Sequence, residues 1–187
     1  MLVDEDPDRA AGLRAALEAN GCEVVSRLAS PLEIYDAVAA ISPDVIIIDT
    51  ESPSRDSLES LAFVSRDRPH PIVMFSGDRS SESIRGAIRA GVSAYVVDGL
   101  SEERLQPILR VAVARFAAEQ NLKQELADAR GQLADRKDIE RAKGILMKQR
   151  QVSEDEAFQL LRKFAMDRGL RMADAATRVI DMASMIG

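Results

Sequence analysis

Tryptophan is absent from this chain, and two tyrosines and five phenylalanines are all the aromatics in 187 residues. Any core must therefore be aliphatic, and an apolar content of 46% suffices for one. The one cysteine, Cys22, excludes an internal disulfide and fits a reducing compartment. The one histidine, His70, lies between Pro69 and Pro71 without clustered ligands or a nucleophile, and reads as a loop residue. There is no glycine-rich phosphate loop and no catalytic triad, so a turnover enzyme is not expected. No apolar run, Val45–Ile48 included, is anywhere near long enough to span a bilayer. The chain starts Met1-Leu2-Val3-Asp4-Glu5-Asp6, too acidic for a secretory signal. A soluble cytoplasmic protein with no membrane partner is expected.

Charge is unevenly spread. Residues 136–187 carry eleven Lys/Arg against eight Asp/Glu, a net of +3, and the preceding 135 residues carry fourteen against twenty-three, a net of −9. A cationic module at the end of an acidic domain suggests an anionic partner, nucleic acid above all.

The first 115 residues alternate between strand and helix patterns. Helices are expected over 8–20, from the Ser30-Pro31 cap to Ala40, over 57–66 and over 81–90, with Ser101 opening a last one. Extended segments are expected at Leu2-Val3, Cys22–Arg27, Asp44–Asp49, Pro71–Phe75 and Ala94–Val97. The β-branched run Val45-Ile46-Ile47-Ile48 suits a strand buried on both faces of a parallel sheet. Five strands alternating with five helices predict a doubly wound, flavodoxin-like α/β domain, whose functional groups gather at the carboxyl ends of the strands. Those ends carry Asp4-Glu5-Asp6, Asp49, Ser76 and Asp98. Clustered carboxylates repel unless a cation sits between them, and a hard divalent ion with oxygen ligands, Mg²⁺, is the expected resident.

This arrangement resembles the receiver domain of two-component response regulators over residues 1–115. The resemblance implies that Asp4 and Glu5 are the acidic pair for Mg²⁺, with Asp49 and the carbonyl of Glu51 as further ligands. It implies that Asp49 is the phospho-acceptor, Ser76 the switch hydroxyl and Tyr95 the aromatic switch. One position departs from the pattern: Asp98-Gly99 stands where the family places a Lys-Pro pair. An aspartate there adds negative charge to a site that phosphorylation would make more negative still. Control by a bound partner competes with control by phosphate.

From Glu102 to about Arg150 the chain has no proline after Pro107, which predicts one long helix. Leu122, Leu126, Ala129 and Leu133 form a narrow seam with coiled-coil spacing over residues 116–135, suited to a homodimer. Packing of that helix on its own receiver is the other reading. Residues 136–187 read as three helices: the end of the long one, a second opened by the Ser153/Glu156 capping box, and Met172–Met185. Ala142, Gly144 and Ala165 are expected to let these helices approach closely. Lys137, Arg141, Lys143, Lys148, Arg150, Arg162, Lys163, Arg168, Arg171 and Arg178 are expected to be exposed.

The segments Arg141-Ala142-Lys143-Gly144-Ile145-Leu146-Met147, Ser153-Glu154-Asp155-Glu156-Ala157 and Leu161-Arg162-Lys163-Phe164-Ala165-Met166-Asp167 resemble the ANTAR domain, over about residues 126–187. With a receiver and a coiled-coil linker the chain resembles the AmiR/NasT group of antitermination regulators. Ala94–Leu100 is similar to the NasT branch in particular. The resemblance implies binding to hairpins of leader transcripts through Lys137, Arg141, Lys143, Lys148, Arg150, Arg162, Lys163 and Arg168. It also implies control by a sensor partner, a nitrate-binding protein or a histidine kinase, over nitrate and nitrite assimilation genes. A DNA-binding response regulator and a protein-interaction adaptor with a degenerate receiver are the alternatives.

Overall fold

In a computed structural model, which describes residues 1–97 and 102–186, the chain divides into two compact units, Met1–Gln120 and Asn121–Gly187. In the first unit, five parallel strands lie in the order β2-β1-β3-β4-β5. They are β1 (Leu2–Asp4), β2 (Arg27–Leu28), β3 (Ile46–Thr50), β4 (Ile72–Ser76) and β5 (Ala94–Val97). Helices α1 (Pro7–Ala19), α2 (Ile34–Ile41), α3 (Arg55–Asp67) and α4 (Ser81–Arg89) alternate with them, and α5 starts at Glu102. The flavodoxin-like fold is as the strand and helix pattern implies. The second strand is shorter than expected, two residues rather than Cys22–Arg27, because β2 is an edge strand that pairs only with β1. The helix after Ser30-Pro31 opens with a 3-10 turn, Pro31–Glu33, before α2. Asp98, Gly99 and Ser101 lie outside the described residues.

The sheet is covered on both faces, as its apolar strands require. One face packs Val3, Ile46, Ile48, Ile72 and Met74 against Ile34, Val38, Leu61, Val64 and Ala87 of α2 to α4. The other packs Leu2, Ile47, Val73 and Phe75 against α1 and the start of α5, through Leu13, Leu17, Leu105, Leu109 and Ala112. The alternation of neighbours along β3 explains why its three isoleucines are all buried. The turn before β5 depends on Gly91. Its φ is +94°, and a Cβ built there would lie 2.0 Å from the Ser65 Oγ and 2.5 Å from the Ser65 Cβ. The turn thus needs both a left-handed residue and the absence of a side chain.

Helix α5 (Glu102–Arg150) runs 49 residues. Its first turns pack on the sheet through Leu105, Leu109 and Ala112, whereas Leu122, Leu126 and Leu133 are exposed, at 65%, 49% and 55%. In the second unit, the end of α5 joins α6 (Glu154–Asp167) and α7 (Met172–Ile186) around Ala142, Leu161, Ala165, Ala175, Ala176 and Val179. Gln151, at φ +52°, makes the first turn and Gly169, at φ +62°, the second. Both hydrogen bonds of the Ser153/Glu156 capping box form. Ala142 and Ala165 lie in the close-packed core, but Gly144 does not: it is exposed, and an added Cβ would meet nothing within 4 Å.

Replacing Gly91 with Ala should destabilise the first unit by more than about 1 kcal/mol, since the backbone is left-handed and Ser65 blocks the methyl. The measurement is the denaturant midpoint, which should fall without a change in slope.

Candidate functional site

The parallel register sets the first site. Asp4 pairs with Asp49 across β1 and β3, and Thr50 pairs with Ser76 across β3 and β4. Three strand ends therefore bring Asp4, Asp49 and Ser76 to one edge of the sheet. Asp4 is buried, with no side-chain exposure. Asp49 is partly buried, and Glu51, two residues on, is exposed. They border an open pocket of about 550 Å³ lined by Arg9, Asp49, Thr50, Glu51, Ser76 and Gly77, among others.

A side chain of the protein supplies the cation among these acids. Arg9, in the first turn of α1, donates from Nη2 to Asp4 Oδ1 at 2.7 Å and from Nε to Asp4 Oδ2 at 3.1 Å. The same guanidinium lies 3.5 Å from Asp49 Oδ2 through Nε and 3.5 Å from Glu51 Oε1 through Nη1. Its pKa is raised, first by the hydrogen bonds to Asp4. The buried acid is further satisfied by the Asp6 N–H, 2.9 Å from Asp4 Oδ1. Burial pushes the Asp49 carboxyl above its ordinary range; Arg9 opposes this, while Asp4 and Glu51 add to it.

Of the other expected ligands, the Glu51 carbonyl is engaged. Ser76 donates its hydroxyl to the Glu51 carbonyl at 3.1 Å, the carbonyl that the receiver resemblance offers to a metal. Glu5 is exposed, and among the described residues it forms no ion pair with Arg9. Among the described residues no group of three or more His, Cys, Asp or Glu is disposed to hold a metal ion. Receiver domains commonly bind Mg²⁺ in this acidic pocket, and Mg²⁺ requires a near-octahedral set of open oxygen donors. The residues as arranged do not fit that requirement, because a guanidinium stands where the ion was expected.

Ser76 and Tyr95 are joined through one residue that sequence reading missed. The Asp78 N–H donates to Ser76 Oγ at 3.2 Å, and the Tyr95 hydroxyl donates to the Asp78 carbonyl at 2.8 Å. The Asp78 carboxylate accepts from the hydroxyls of Ser83 and Ser52 and from the Ser80 N–H, which hold its pKa down to about 2. Asp78 thus ties the loop after β3 to the loop after β4.

The second site is on the helical unit. Lys137, Arg141, Gly144 and Lys148 follow at i, i+4, i+7 and i+11, which places them along one face of α5. That face is opposite Ala142 and Leu146, which turn to the core. Lys137, Arg141, Lys148, Arg150, Arg162, Lys163 and Arg168 are exposed. Among the described residues, the first six have no carboxylate partner; Arg168 stacks over Phe164, 4.9 Å from its ring centre.

Lys143 corrects the expected set. It is 8% exposed, and its ammonium is held by Glu154 at 2.6 Å and Glu140 at 2.9 Å. Both pairs raise its pKa, Glu154 foremost. Position 143 falls beside the start of α6, so its charge ties two helices together. Arg171 is likewise committed, to Asp174 at 2.9 Å and to Asp135 at 3.9 Å.

Comparison with known proteins agrees with this architecture. Residues 1–110 match the response regulator receiver domain, and residues 127–180 match the ANTAR domain. The chain belongs to the response regulators that join a receiver to an ANTAR domain. The transcriptional regulatory protein PdtaR of Mycobacterium tuberculosis is 31% identical over 169 residues, 90% of this chain and 82% of that protein. In fold, the first unit is similar to the signal receiver domain of a modulated diguanylate cyclase from Desulfovibrio desulfuricans G20, with TM-score 0.55 and 21% identity over 63% of this chain and 94% of that one. It is equally similar to the receiver domain of NarL from Mycobacterium tuberculosis, with TM-score 0.53 and 21% identity over 59% and 92%.

Two outcomes follow from these sites. The folded pKa of Asp49 is raised, so its ionised form weighs against folding above that pKa and the cost disappears as pH falls through it. Asp49→Asn should therefore raise the thermal midpoint at neutral pH, with the gain shrinking as pH drops into the carboxylate range; circular dichroism melts across pH give the curve. For the second site, Lys143→Met should lower the thermal midpoint of the helical signal, whereas Arg141→Met should leave it unchanged.

Proposed function

We propose that this chain is a transcription antitermination regulator that binds hairpins of leader RNA through its ANTAR domain. The observation that carries this reading is the unpaired cationic face Lys137, Arg141 and Lys148, in a unit that matches ANTAR. Lys and Arg without carboxylate partners neutralise phosphates and release counterions, while unstacked loop bases offer edges to polar groups nearby. Gly144, between Arg141 and Lys148 on that face, costs helix stability and packs against nothing. Its bare backbone leaves room for an RNA strand to come close.

A DNA-binding reading is weaker. Helix α7 contains a single cation, Arg178, and so lacks the polar, positively charged surface of a recognition helix. The exposed leucines Leu122, Leu126 and Leu133 suit a homodimer, which would present two RNA-binding faces with avidity. No described helix is long and apolar enough to cross a membrane, and we place the protein in the cytoplasm with the transcripts it reads. The NasT-like stretch Ala94–Leu100 favours nitrate and nitrite assimilation genes as the target. The receiver supplies control, through a nitrate-binding sensor or a histidine kinase.

The test is fluorescence anisotropy with a leader-RNA hairpin and, beside it, a DNA duplex of the same sequence. The full chain should bind the hairpin in preference to the duplex. Arg141→Gln and Lys148→Gln should each lower the salt slope of log K by about 0.7. Equal binding to duplex and hairpin would overturn the reading.

A further inference from the structure

Arg9 is the most heavily engaged side chain at the carboxyl end of the sheet. It forms two charge-assisted hydrogen bonds to a carboxylate with no exposed surface, at 2.7 and 3.1 Å. Each of its three guanidinium nitrogens faces an acid: Nη2 faces Asp4, Nε lies between Asp4 and Asp49, and Nη1 faces Glu51. Nη2 also reaches toward the Asp49 carbonyl at 3.5 Å. Such a planar fork matches carboxylate geometry, and paired bonds of this kind are among the strongest a protein makes. Its side chain is 29% exposed, so the pair is sheltered from full solvent screening.

We propose that Arg9 is the resident cation of this receiver pocket and takes the place of a divalent metal. The physical argument is one of competition. A divalent ion at Asp4 and Asp49 would need the oxygens that Arg9 now holds, and it would have to sit within about 2.1 Å of them. Both cations cannot occupy that space, and their charges would repel. Expelling the guanidinium means breaking a bidentate bond to a buried acid. The Glu51 carbonyl already accepts a hydrogen bond from the Ser76 hydroxyl at 3.1 Å. Arg9 is thus a positioning residue: it fixes Asp4, lies beside Asp49, and closes the pocket to Mg²⁺. This inference rests on the receiver pocket alone and is independent of RNA binding.

The experiment uses the full chain, wild type and Arg9→Gln, melted with and without millimolar MgCl₂. The wild-type midpoint should not respond to Mg²⁺. The variant should begin lower and gain a Mg²⁺-dependent rise, as a ligand that binds only the folded state requires. A merely structural arginine would lower the midpoint but create no metal response. Wild-type protein titrated with MnCl₂ and followed by electron paramagnetic resonance tests the same point without relying on the variant to fold. The free Mn²⁺ signal should persist. Loss of that signal in wild type, restored by Asp49→Asn, would overturn the proposal, as would a Mg²⁺ response of equal size in wild type and variant.

Discussion

The carboxylate of Asp4 has no exposed surface at the end of β1, and the arrangement of the whole sheet edge depends on how its charge is met. A buried ionised acid is costly unless it is paired and hydrogen-bonded. Arg9 and the Asp6 N–H do both. The same Asp6 caps α1 through its side chain, accepting from the N–H groups of Asp8 and Arg9. Helix capping and charge neutralisation are therefore one structure: the cap fixes the first turn of α1, and that turn carries the guanidinium to the acids. Asp49 feels the consequence. Its burial raises its pKa, and the arginine prevents that rise from being larger.

The middle of the fold depends on one helix changing its role along its length. Leu105, Leu109 and Ala112 of α5 are buried against the sheet. Leu122, Leu126 and Leu133 are exposed, and Ala142 is buried again in the core of the second unit. Each unit has its own aliphatic core. The linking segment has polar neighbours and a narrow apolar seam with coiled-coil spacing.

Much of this was legible in the sequence. Strand runs such as Ile46-Ile47-Ile48 and the Ser153/Glu156 capping box are local signals, and local physics decides them. The gathering of Asp4, Asp49 and Ser76 follows from parallel strands once their ends are known. What was not legible is which cation meets the acids. Repulsion among carboxylates demands a positive charge, but does not say whether an ion or a side chain supplies it. Arg9 lies only five residues after Asp4, on the first turn of a helix opened by Asp6-Pro7, and that spacing was the available signal. Asp78 was missed because its role depends on Ser52, 26 residues earlier on the loop after β3, reaching the same carboxylate as the nearby Ser80 and Ser83. Lys143 was misplaced because helical periodicity orients a residue about its own axis, while the position of α6 beside it is a tertiary fact.

The sorting of cations in the helical unit bears directly on how it would meet an anion. A lysine or arginine adds to phosphate binding only if its charge is not already neutralised inside the protein, because counterion release counts available charges and not total ones. Adjacent positions on α5 divide on this basis. Arg141 is exposed without a carboxylate partner among the described residues, whereas Lys143, two residues on, is bound to Glu140 and Glu154. Arg171 is held by Asp174 and Asp135. Net charge over residues 136–187 is only +3, too small to distinguish nucleic acid from ordinary solvent as a partner. Its spatial division is more informative: acids are drawn to Lys143 and Arg171 at helix junctions, which leaves the Lys137–Lys148 face cationic. The ion pairs that hold the helices together thereby occupy Glu140 and Glu154 at Lys143, and Asp135 and Asp174 at Arg171.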